Sequence, residues 1–103
     1  ARYRRAVTIT SLLDIQLSPD APADAEAQVT ATLSQTRARP GSLSVDVVRD
    51  LEDPRHLVVI EVWESVEADD AYRAWRATPE GASDLGELTV GRPRLTRCEA
   101  TAL

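Results

Sequence analysis

At 103 residues, with 43 % hydrophobic and 28 % charged side chains, the sequence has the composition of one soluble globular domain, 1–103, with room for a single core. A formal net charge of -5, with the arginines dispersed among acids, excludes the basic face that sequence-independent binding of nucleic acid requires. Its single cysteine, Cys98, and single histidine, His56, exclude an internal disulfide and argue against a multi-thiolate or histidine-rich metal centre.

The longest uninterrupted apolar run, Leu57 to Ile60, is far too short to cross a bilayer. Arg2, Arg4 and Arg5 precede an alternating segment and not the continuous apolar stretch of a signal peptide, so a cytoplasmic location is expected. The expected partner is a small molecule or a second copy of the chain.

Val7, Ile9, Leu13, Ile15 and Leu17 recur at every second position, with Ser11 as the one polar member, so residues 5–17 read as a strand with one buried face. Ser18-Pro19-Asp20-Ala21-Pro22 breaks it. From Ala23 to about Ala38 the chain is alanine-rich, carries Asp24 and Glu26 where they complement a helix dipole, and spaces Val29 and Leu33 four apart, which reads as an amphipathic helix. Arg39-Pro40-Gly41 ends it. Leu43, Val45 and Val47 then alternate with Ser44 and Asp46 as a second strand, and the Asp53-Pro54-Arg55 turn joins that strand as a hairpin to a third, residues 56–64.

The third strand is apolar on both parities. Val58, Ile60 and Val62 point one way, Leu57, Val59, Glu61 and Trp63 the other, as in a strand interior to its sheet. Ser65 is placed to cap a helix in which Ala68, Ala71, Tyr72 and Trp75 form a continuous stripe, with Asp69, Asp70, Arg73 and Arg76 on a solvated face. Thr78-Pro79-Glu80-Gly81 interrupts it before a short helical stretch near 82–88 and a last strand near 92–101. The order β-α-β-β-α-β is that of an α+β, ferredoxin-like domain with an antiparallel sheet. Helices on one face of such a sheet leave the other face open, and its apolar residues suit a symmetric homodimer.

Two motifs extend this reading. Pro40-Gly41-Ser42-Leu43 opens the second strand, and Glu61-x-Trp63-x-Ser65-x-x-Ala68 spans the junction of third strand and second helix. With the element order they resemble the antibiotic biosynthesis monooxygenase family of the dimeric α+β barrel superfamily. That resemblance implies two subunits packed sheet against sheet, each with a cleft between sheet and helices. Some members oxidise phenolic polyketide rings with molecular oxygen and no cofactor, and others degrade haem. The quinone-forming members have an Asn where this chain has Val59 and a Tyr where it has Asp69. The haem-degrading members have a helix Trp where it has Tyr72 and a His where it has Ala82, which disfavours haem.

By this reading Trp63, Glu61 and Tyr72 are the candidate catalytic residues, and Val59, Trp75 and Ser11 the candidate substrate-binding ones. Flat aromatic walls suit a planar substrate. A desolvated Glu61 is the candidate proton acceptor, leaving an electron-rich substrate anion that reacts with oxygen. Each residue also has a plain structural reading: Trp63, Tyr72 and Trp75 as core anchors, and Glu61 as the partner of Arg94 or Arg97 on a neighbouring strand. Cys98 reads as a small packed side chain and His56 as exposed. The expected activity is oxygenation of an aromatic, polyketide-derived phenol; the alternatives are a polyketide cyclase of the same superfamily and a non-catalytic ligand-binding or accessory protein.

Overall fold

The computed structural model describes residues 7–103. Its elements follow the expected order: β1 (Ile9–Gln16), α1 (Ala25–Arg37), β2 (Ser42–Arg49), β3 (His56–Trp63), α2 (Val66–Arg76), a short 3-10 turn (Leu85–Leu88) and β4 (Arg94–Glu99). The strands form one antiparallel sheet in the order β2-β3-β1-β4, so β3, apolar on both parities, is indeed interior. The first two residues of the strand expected over 5–17 lie outside the described residues. Val7 is exposed, and regular pairing begins at Ile9.

Alternation along β3 decides which face the helices cover. Leu57, Val59, Glu61 and Trp63 are buried, while His56, Val58, Ile60 and Val62 are half-buried. Beneath α1, Val29 and Leu33 pack with Ile15, Val45, Leu57 and Val59, and Leu85 and Leu88 of the 3-10 turn close the end of this cluster. Beneath α2 a smaller aromatic cluster joins Ile9, Trp63 and Tyr72, with Ala68 and Trp75 against it. Among the described residues the other face has no helix over it, and β4 is exposed along its whole length.

The two motif segments meet in space. Gly41 adopts φ 83°, a left-handed conformation that glycine tolerates and other residues resist. A Cβ there would lie 2.4 Å from the Cβ of Ala68, so α2 can approach the start of β2 only because position 41 has no side chain. The Glu64 amide donates to the Gly41 carbonyl at 2.9 Å, and Ser65 Oγ accepts from the Ala68 amide at 3.1 Å, capping α2 as expected.

Four local expectations are corrected. Leu43 is displaced by a register shift between Ser42 and Ser44 and is exposed. Ala71 is exposed and Asp69 takes the inward position, because the buried side of α2 is set by the polar partners available to Asp69. Cys98 is exposed, since it lies on an edge strand, on the parity opposite to Arg97 and so away from α2. His56 is half-buried, its ring held between Asp14 (2.7 Å) and Asp50 (2.9 Å).

Candidate active site

Strand register places the polar residues of the helix-covered face in one line. Ser11 of β1 stands opposite Glu61 of β3 on one side and Arg97 of β4 on the other. Ser11 and Glu61 are both almost completely buried. Such groups require partners, and α2 supplies them through two side chains spaced four apart, Asp69 and Arg73.

Asp69, wholly buried on α2, descends onto this row. It accepts from Ser11 Oγ at 3.1 Å and from Arg97 Nε at 2.5 Å, and its other oxygen lies 3.0 Å from Arg73 Nη2. The same Arg73 nitrogen donates to Glu61 Oε1 at 2.6 Å, where Trp63 Nε1 also donates at 3.1 Å. Arg97 further holds the exposed Asp70. The hydrogen bonds with Asp69 and then Asp70 push the Arg97 guanidinium above its usual range. Carboxylates and guanidiniums thus alternate from Glu61 through Arg73, Asp69 and Arg97 to Asp70.

The aromatic residues form the adjoining wall. Trp63 and Tyr72 stack with centroids 4.9 Å apart and planes at 28°, and Trp75 tilts against the far side of Tyr72 at 6.3 Å. Tyr72 Oη hydrogen-bonds Thr36 of α1 at 2.9 Å and accepts from Arg76 Nε at 2.8 Å. Arg76 spends its other donors on Gln35, Gly81, Thr32 and Thr36, tying the C-terminal ends of both helices together.

Between the sheet and the two helices lies a cleft of about 260 Å³. Leu13, Leu33 and Leu85 give it apolar walls, and Glu61, Tyr72 and Arg73 supply chemistry. A second depression, of about 290 Å³, between α1 and β2 is floored by Val29, Leu33 and Leu57. Its charged rim is self-paired, Arg49 holding Glu26 at 2.8 Å, so it offers less to a polar ligand. Among the described residues no group of three or more His, Cys, Asp or Glu side chains is placed to hold a metal ion.

Of the six residues selected from the sequence, Ser11, Glu61, Trp63 and Tyr72 are joined in one hydrogen-bonded and stacked assembly. Only Glu61 and Tyr72 of the six line the cleft. Trp63 is wholly buried behind Tyr72, Val59 belongs to the apolar cluster under α1, and Trp75 lies under Arg39, whose guanidinium is 4.1 Å from its ring centroid. Glu61 does take an arginine partner, but it is Arg73 of α2. Arg94 pairs in register with Asp14 on the opposite face, and Arg97 is held by Asp69 and Asp70. Arg73, Arg76 and Asp69 are the residues that sequence reasoning assigned to solvent. Their signal was present: Ala68, Asp69, Tyr72, Arg73 and Arg76 share one helix face at spacings of three and four.

A four-stranded antiparallel sheet in the order β2-β3-β1-β4, with two helices on one face and a cleft between them, defines a ferredoxin-like α+β domain. The model of the antibiotic biosynthesis monooxygenase family matches residues 8–81, and the chain belongs to that family. Similar solved structures include a conserved protein from Methanosarcina mazei Go1, with 17% identity and a TM-score of 0.77 over 90% of this chain and 92% of the other. Rv0793 from Mycobacterium tuberculosis superposes with a TM-score of 0.75 and 23% identity over 93% of this chain and 97% of its own. A structure described as antibiotic biosynthesis monooxygenase gives 0.75 and 21%, over 90% and 98% of the two chains. No curated protein matches the chain. No helix among the described residues is long and apolar enough to cross a membrane.

Proposed function

We propose that the protein is a cytoplasmic, homodimeric oxygenase that oxidises a compact, polyketide-derived phenolic compound with molecular oxygen and without a cofactor. The observation that carries this reading is the state of Glu61 at the cleft wall. Trp63 and Arg73 fix Oε1, and Oε2 has no partner among the described residues. A carboxylate anchored by one oxygen and unpaired at the other suits a positioned proton acceptor.

Glu61 Oε2 takes a proton from a ring-activated CH2 of the phenolic substrate, and the electron pair stays on the substrate. The anion passes one electron to oxygen, and the resulting radical and superoxide combine at that carbon. The peroxide anion recovers the proton held by Glu61. Loss of the second C–H proton with cleavage of the O–O bond then leaves a carbonyl and one water. Glu61 ends as it began, and CH2 plus O2 has become C=O plus H2O. At about 260 Å³ the cleft falls just below the ~300–1,000 Å³ of ordinary small-molecule sites, which favours one or two fused rings.

The open face of the sheet supports the dimer. Val58, Ile60 and Val62 of β3 are only half-buried there, and Val48 of β2 is exposed, so a second copy packed sheet to sheet would remove this apolar stripe from water. Oxygen consumption with phenolic compounds of one to three rings, each carrying a ring-activated CH2, tests the activity. The expected result is one O2 per substrate, lost in Glu61→Gln without loss of folding. Turnover that persists under nitrogen would identify a cyclase, and binding without turnover a carrier or accessory protein. Sedimentation as a monomer at micromolar concentration would remove the dimer.

A further inference from the structure

The two arginines of the cleft differ in how their donors are used. Arg76 is committed: Nε donates to Tyr72 Oη, Nη1 to Gln35 and the Gly81 carbonyl, and Nη2 to the Thr32 carbonyl and Thr36 Oγ1. In Arg73 only Nη2 is engaged, by Glu61 and Asp69. Its Nη1 has no hydrogen bond among the described residues, and its Nε is buried without a partner. Asp69 Oδ1, which meets Arg73 Nη2 as a charge contact at 3.0 Å, likewise lacks a hydrogen bond of good geometry. Nη1 is thus the nitrogen of Arg73 left for a ligand, and beside a carboxylate with one unspent oxygen it is matched to a ligand offering an acceptor next to an acidic hydrogen.

We propose that Arg73 is a catalytic residue: it binds the substrate oxygen that becomes negative when Glu61 accepts the proton. This rests on the oxygenase reading for its place in a reaction, but not for the binding event itself. Before transfer, Arg73 lies between the Glu61 and Asp69 carboxylates. After transfer, Glu61 is neutral and the substrate anion takes over as a partner of Arg73. The proton moves from substrate to Glu61 Oε2, the electron pair moves onto the substrate oxygen, and Arg73 stays protonated throughout. The charge of the network is unchanged; it shifts from one partner of a fixed guanidinium to another, the condition under which an already oriented donor stabilises a developing anion. Asp69 holds Arg73 in place from behind, and Ser11 and Arg97 hold Asp69.

The test uses the intact protein and 4-nitrophenol, whose phenolate is read by its absorbance whether or not any oxygen is consumed. Bound to the wild type, the probe is expected as phenolate about one pH unit or more below its ionisation in water, a tenfold effect. Arg73→Gln should lose this shift, and Arg73→Lys should restore part of it. Glu61→Gln removes the competing carboxylate and should bind phenolate about tenfold or more tighter. If Arg73→Gln does not fold, Glu61→Gln decides alone. No binding of the probe, binding without the shift, a shift that survives in Arg73→Gln, or no tightening in Glu61→Gln overturns the proposal. Oxygen uptake is measured in parallel: its absence with an Arg73-dependent phenolate signal refutes only the oxygenase reading. Full turnover in Arg73→Gln refutes only the role of Arg73.

Discussion

Replacing Asp69 with Asn is the most discriminating structural perturbation. The substitution keeps the volume and the acceptor for Ser11, but removes the charge that two arginines share. Deleting one partner of a buried ion pair costs about 3–5 kcal/mol, because the remaining charge is left uncompensated. Here the Asp69 side chain is 0 % exposed, whereas those of Arg73 and Arg97 are 24 % and 37 % exposed and can recover part of their hydration. Arg73 also keeps Glu61, and Arg97 keeps Asp70. The expected loss is therefore near the bottom of that range, about 3 kcal/mol. Urea unfolding at fixed protein concentration, which any dimerisation makes necessary, reads it as a lower midpoint at unchanged slope. The Asp69→Asn/Arg97→Gln double variant should lose clearly less than the sum of the two single changes, since each removes the other's partner. A loss in Asp69→Asn below about 1 kcal/mol, the scale of exposed ion pairs, would refute the assignment of this network as a structural centre.

Two further outcomes follow from other parts of the fold. Hydrogen bonds to Asp50 and then Asp14 raise the pKa of His56 above 6.5, so its contribution to stability is fully present below pH 6.5 and is lost as pH rises through the higher folded value. The wild type should therefore lose more melting temperature than His56→Gln between pH 6.5 and the alkaline side, and identical slopes would remove the clamp from the account. Gly41→Ala should cost at least about 1–2 kcal/mol from the left-handed conformation alone, with more from the contact on Ala68. Thermal melting checks this, and a neutral result would mean that α2 does not approach β2 as described.

The architecture was legible because its signals are local. Two-residue alternation, the Asp53-Pro54-Arg55 turn, the Ser65 cap and the double-sided β3 each act within a few residues and agree with one another. That Glu61 and Trp63 share one parity of β3 was legible for the same reason; which parity the helices cover was not, since that depends on where the helices pack and not on the strand itself. The partners of Glu61 were harder to see, since a helical wheel sorts Asp69, Arg73 and Arg76 to the outside on polarity alone. That assignment fails when buried charges neutralise one another, a property of which strand row lies below the helix and not of α2 itself. Trp75 and Val59 looked like cleft residues because they neighbour Tyr72 and Glu61 in pattern. In space, Trp75 turns toward Arg39 and Val59 falls a row away in the apolar cluster.

Arg97 also has a bearing on how the last strand is attached. β4 brings little greasy surface to the sheet, Leu95 being itself exposed, so hydrophobic contact does little to choose its alignment with β1. A slip by one residue would swing Arg97 to the opposite side and separate it from both aspartates of α2. The strand is thus buckled to a helix by charge, and the outer half of that buckle, through the exposed Asp70, is open to ions in solution. Its amide hydrogens should therefore exchange faster as salt is added, while those of the interior strand β3 keep their protection.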